Sequence, residues 1–130
     1  MSGSISAVPP ALVEGFAAVF NDFVNEVAAA VAEAMQKNAA ADSWPLRAWR
    51  NKVLPLLQKH NKDIQESAAA FQSGQSKSIL TWAEQERGLA KDLDGFPLDF
   101  AGPEHAQKLD FLETRIVTVA FQICAAAGIP

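Results

Sequence analysis

The sequence predicts an all-α fold, an antiparallel helical bundle of four or five helices, on three observations. Val13, Phe16, Phe20, Phe23, Val27, Ala30 and Ala34 recur at alternating spacings of three and four, the spacing of a helix-packing seam. Further apolar-periodic segments follow, each bounded by Pro, Gly or Ser. Tyr is absent, and few stretches show the β-branched alternation of strands, so no sheet is expected.

Residues 1–8 read as a flexible lead-in of small and polar side chains. Pro9 and Pro10 then start the first helix, because proline in the first turn lacks only an amide hydrogen that would be unpaired anyway. This helix runs from Pro10 to Lys37. A second file, Leu12, Val19, Val24, Val31 and Met35, widens its apolar face, so it expects neighbours on more than one side.

The second helix opens at Pro45 and has its apolar positions at Leu46, Trp49, Val53, Leu56, Leu57, His60, Ile64, Ala68 and Phe71. Pro55 lies within it, removing the amide bond to Asn51 and disfavouring helical geometry at Leu54. A kink or break at Pro55 is expected, which makes the count four or five. A third helix is expected to carry Ile79, Trp82, Ala83, Leu89, Ala90 and Leu93, opened by Ser76 or Ser78. The loop from Asp94 to Gly102 holds Phe96, Leu98 and Phe100, side chains that seek burial across one end of the bundle. Pro103 and Glu104 begin a last helix with the seam Leu109, Leu112, Ile116, Val119, Ile123 and Ala126. All 130 residues form one domain, with no long linker and no internal repeat.

A composition of 49% hydrophobic and 20% charged residues belongs to a folded globular chain. A net charge of −4 disfavours a general nucleic-acid binder, since phosphate affinity comes from clustered Lys and Arg. The acids Glu14, Asp22, Glu26 and Glu33 of the first helix face a basic stretch, Arg47, Arg50, Lys52, Lys59 and Lys62, and the two are expected to be neighbours. Cys124 stands alone and so forms no internal disulfide. No signal peptide is visible, and the longest uncharged run, Ile116 to Pro130, is shorter than the roughly 20 residues that span a bilayer. A cytoplasmic location is expected, and export without a cleaved leader is compatible with it.

Candidate chemistry is sparse. His60 and His105 fall on apolar faces, and Glu86 aligns between Trp82 and Leu89, but the Glu three residues before His that bundle metal sites use is missing. Neither a metal nor another cofactor is expected. The run Ser73-Gly74-Gln75-Ser76-Lys77-Ser78 lacks the glycine spacing and the preceding strand of a phosphate-binding loop, and a helix cap accounts for it. No Ser or Cys has an evident activating base, and Cys124 sits among Ala and Ile as a buried thiol would.

The best candidate for a contact surface is Trp44, Arg47, Trp49 and Arg50 together with Phe96 and Phe100, since Trp and Arg dominate interface energetics. The competing reading puts Trp49 in the core, lays Trp44 over a bundle end and pairs the arginines with the acids of the first helix. A membrane-surface helix is disfavoured by Pro55 and the acidic total charge. The function expected is therefore a non-enzymatic protein-interaction module of adaptor, chaperone or immunity type, whose partner is another protein or a second copy in a homodimer. The alternative is a binder of a small apolar ligand or haem, for which eight Phe and three Trp supply lining.

Overall fold

The computed structural model describes residues 8–37, 44–72 and 98–128. The all-α class holds, but the count of four or five helices does not: three helical rods are present among the described residues. The segment expected to form the third helix, Ile79 to Leu93, lies outside the described residues, as do residues 1–7 of the lead-in and Phe96, whereas Val8, the last residue read as lead-in, is buried in the core.

The first rod is α1 (Pro10–Lys37). The amide of Leu12 donates to the Pro9 carbonyl at 3.0 Å, closing the first turn around the proline start. All seven residues of its seam are buried, as are Val19, Val24 and Val31 of the second file, whereas Met35 is exposed. An apolar arc this wide cannot be covered by one neighbour. α1 is accordingly the element on which both other rods pack. It is long and apolar enough to cross a bilayer by composition, with a mean hydropathy of 1.2 over its best window, yet half of that window is buried within the fold.

The second rod consists of α2 (Trp44–Ala48), a π-helical turn (Trp49–Val53) and α3 (Leu54–Gln72), which follow one another without interruption. Of the kink or break expected at Pro55, the break is absent, so this rod does not divide into two helices. In a regular α-helix the ring of Pro55 would press on the Asn51 carbonyl and leave it without its amide donor. The preceding turn instead widens, with the Leu54 amide donating five residues back to the Trp49 carbonyl, and the chain continues in helical geometry at Ala48 and Leu54. The wider turn also keeps Trp49, Val53 and Leu57, spaced four and four, on the buried face.

The third rod, α4 (Gly102–Ala126), follows a single 3₁₀ turn, Asp99–Ala101, in which the Ala101 amide donates to Leu98 at 2.9 Å. Gly102 joins the two at φ 72° and ψ 161°. Proline at 103 demands an extended ψ before it, and only glycine combines that with a positive φ without strain. Gly128, at φ 78°, ends the rod in the left-handed conformation typical of a helix stop, its amide donating to Ala125 at 3.1 Å.

The core formed between the rods holds Phe16, Phe20, Phe23, Trp49, Leu57, Ile64, Leu109, Ile116 and Ile123, all essentially inaccessible to water. Leu98 and Phe100 close one end of it, and the Phe100 ring stacks at a tilt on Trp49 with centroids 5.3 Å apart. A polar seam joins α1 to α3. Asn61 Nδ2 donates to Asn21 Oδ1 at 3.0 Å, and Gln65 Nε2 donates to both Asn61 Oδ1 at 2.9 Å and the backbone carbonyl of Ala17 at 2.8 Å. Because Asn61 meets Asn21 while the later Gln65 meets the earlier Ala17, α3 runs antiparallel to α1.

This distribution of burial sets opposite expectations for two phenylalanines. Phe23→Ala removes a buried ring from the middle of α1 and should lower the unfolding free energy by roughly 3–5 kcal/mol in urea titration. Phe111→Ala, at a position 64% exposed, should change it by no more than about 0.5 kcal/mol. Equal losses at the two positions would contradict the assignment of faces.

Candidate functional site

The densest cluster of charge among the interactions described spans α1 and the start of α4. Glu26 and Glu33 stand seven residues apart, two turns along one side of α1, and His105 reaches between them from the first turn of α4. Its Nδ1 meets a Glu26 carboxylate oxygen and its Nε2 a Glu33 carboxylate oxygen, both in short contacts. Lys108, three residues further along α4, meets the other Glu26 oxygen at 3.3 Å, and Lys37 pairs with Glu33 one turn down α1. Glu104 adds negative charge near Lys37. Since the beginning of α4 meets the end of α1, these two rods are also antiparallel.

The chemistry of this arrangement follows from hydrogen-bond inventory. A neutral imidazole has one N–H and one lone pair, whereas a carboxylate only accepts, so a ring between two carboxylates is satisfied only as imidazolium. Hydrogen bonds to Glu26 and then Glu33 accordingly raise the His105 pKa above 6.5, against a smaller opposing effect of burial. Burial pushes Glu26 upward, but the hydrogen bonds from His105 and Lys108 outweigh it and hold the carboxyl below its ordinary range. Glu33 is lowered by its hydrogen bond to Lys37 first and to His105 second. A ring held in this way has no lone pair for proton abstraction, and both of its nitrogens are engaged by acids rather than available to a metal. The cluster is an electrostatic tether between two helix ends.

A cleft of about 380 Å³ opens beside it, lined by Glu33, Lys37, Glu104 and His105 with the backbone turn at Ala101, Gly102 and Pro103. Its lining is charged and small. Of the aromatic residues, Phe16, Phe20, Phe23 and Trp49 are packed in the core and do not line this cleft. Among the described residues no group of three or more His, Cys, Asp or Glu side chains is arranged to hold a metal ion. His60 is half-buried on the second rod, Cys124 is buried, and Glu86 lies outside the described residues.

The residues singled out as a contact surface separate. Trp49 has no exposed surface and belongs to the core, where Phe100, half-buried, covers it. Arg47 is exposed and Arg50 partly so, with the Arg50 Nε donating to Asn51 at 3.1 Å. The side chain of Trp44 and all of Phe96 lie outside the described residues. The acids Glu26 and Glu33 are directed at α4, while the described polar contacts between α1 and α3 are the amides of Asn21, Asn61 and Gln65. Sequence reasoning missed the tether although its signals were present: two acids at i and i+7 beside an apolar seam, and His105 with Lys108 one turn apart at a helix start. What was missing was the register between remote helices.

Comparison with protein families, with curated proteins and with solved structures found no match for this chain.

The tether predicts a defined pH profile of stability. His105 gains proton affinity on folding, so its contribution is complete below 6.5 and is lost as pH rises through the raised folded value. Glu26 and Glu33 lose proton affinity, so theirs is complete above 4.5 and is lost as pH falls through the lowered folded values. Melting temperature should therefore peak between these limits, and His105→Gln should flatten its alkaline decline. Parallel pH profiles for the two proteins in thermal melts would show that the tether contributes nothing.

Proposed function

We propose that this chain is a non-enzymatic helical module that binds protein through the outward face of α4. The observation that carries this reading is Phe111, 64% exposed, with Phe121, 45% exposed, on the same side of the same helix. Scattered single apolar residues on a surface need no explanation, but aromatics aligned on one helix face while the core is closed are the composition of a contact site. Basic residues of the second rod, Arg47 and Lys52 among them, with the exposed Leu56, offer an accessory surface for an acidic partner. The tether at His105 supports the same reading, since its charges are directed at one another and hold the scaffold of the contact face. The lone buried thiol of Cys124 accords with a reducing cytoplasm.

The test is capture from lysate of the source cells, beside a thermal melt, for the native chain, Phe111→Asp with Phe121→Asp, and Arg47→Glu with Arg50→Glu. The aromatic pair of changes should abolish capture while circular dichroism remains helical. The arginine pair should weaken capture without lowering the melting temperature, because exposed charges contribute little to stability. Unchanged capture by both stable variants would overturn the proposal.

A further inference from the structure

We infer that His105 latches a pH-operated flap over one end of the core. With its ring protonated, the latch holds the first turn of α4 and the 3₁₀ turn before it against α1; with its ring neutral, that first turn comes away and the 3₁₀ turn follows, baring the face of Trp49 on which Phe100 lies. The motion is local, leaves the bundle folded and is independent of the contact face on α4. Among the described side chains, the charged groups around the ring are Glu26, Glu33 and Lys37 of α1 with Glu104 and Lys108 of α4. Each bridged acid also has a lysine, Lys108 at 3.3 Å from Glu26 and Lys37 on Glu33, so a ring that loses its proton leaves neither carboxylate without a cation. The neutral ring itself turns a lone pair toward a group that can only accept. Release therefore relieves the ring while both acids stay satisfied, and Lys108, three residues further on, keeps α4 on Glu26 and confines the motion to the first turn.

The flap is built to move at low cost. Of its described side chains only Ala101 is fully buried, Leu98 and Phe100 being half-buried, and its turn is closed by the bond from the Ala101 amide to Leu98. Segments with so little buried apolar surface open at free energies well below that of global unfolding. Gly102 absorbs the change between the two turns. It stands at φ 72°, a conformation that glycine enters and leaves without a side-chain penalty, and a β-carbon built there would meet nothing within 4 Å. An alanine at 102 would thus strain the closed backbone without any collision. What the motion uncovers is aromatic: the rings of Trp49 and Phe100, pressed together at 5.3 Å in the closed form, would both face water in the open one.

Nuclear magnetic resonance of the full native chain from about pH 5.5 to about pH 9 reads the His105 ring, the contact of Phe100 with Trp49 and the amide protection of Ala101 in one sample. The ring should titrate above 6.5, the direction its two carboxylates impose. The ring contact and the Ala101 protection should be lost over that same interval, while the amides from Phe20 to Val31 keep theirs. Linkage sets the size of the effect: the opening constant rises about tenfold for each unit by which the pKa of the closed form exceeds that of the open form. His105→Gln, whose amide donates on one side and turns an oxygen to the other as the neutral ring does, should hold the flap at its high-pH level throughout. Gly102→Ala should raise the opening constant about tenfold at every pH by backbone strain alone. A ring that titrates while Phe100 stays on Trp49 and Ala101 stays protected overturns the inference, as does a ring that does not titrate in this range. Loss of protection at Ala101 in step with Phe20 to Val31 overturns it too, because that is unfolding of the whole bundle. All three results are read in the native chain, so they decide the matter even where a variant fails to fold.

Discussion

The structure depends on the burial of α1 on two sides. Eleven of its residues are buried, the seven of the seam, three of the second file and Ala17, and together they subtend too wide an arc for a single neighbour. The second rod covers one side and α4 the other, both antiparallel to it. The energetic weight of this arrangement lies in rings such as Phe16, Phe20 and Phe23, each worth about 3–5 kcal/mol on truncation. Polar contacts then select the register. The amides of Asn21, Asn61 and Gln65 align α1 with α3, and Glu26, Glu33, His105 and Lys108 align it with α4. These bonds contribute less than the rings but are directional, so a slip along the seam loses them together.

Two local devices let the chain satisfy that constraint. The π-helical turn at Trp49–Val53 accommodates Pro55 without ending the rod and keeps Trp49 and Leu57 on the buried side. At the entry to α4, Gly102 supplies the one conformation that joins a 3₁₀ turn to a helix begun by proline. That junction places His105 in the first turn of α4, opposite the last turns of α1. Local backbone geometry thus determines where the ion pairs can form, and their formation determines which face of α4 is left to water.

The legible parts of the sequence were those governed by local periodicity. The seam of α1, the seam of α4 and the limits of α1 at Pro10 and Lys37 were all readable, because spacing alone separates a buried face from an exposed one. Pro55 was read as a kink or a break because proline is incompatible with a regular α-turn; a widened turn satisfies the same chemistry without ending the helix, and nothing in the residue pattern distinguishes a break from such a turn. The acidic first helix and the basic stretch do lie on neighbouring rods, as their charges suggested, but the partners of Glu26 and Glu33 were not legible, for a different reason. Glu26 and Glu33 had bases to choose from in Arg47, Arg50 and Lys52 as well as in His105 and Lys108, and only the axial register between helices far apart in sequence decides the choice. Trp49 illustrates the ambiguity of large amphipathic residues: the same side chain serves a core or an interface, and its neighbours in space determine which.

If α1 is the element that the other rods require, its middle should open only when the whole molecule unfolds. Native-state amide hydrogen exchange measures this directly. The amides from Phe20 to Val31 should exchange at the free energy of global unfolding, more slowly than those of the outer turns of α4 around Phe111. Exchange in the middle of α1 at a lower free energy than in α4 would contradict the account, because it would show that the bundle persists while its central helix opens.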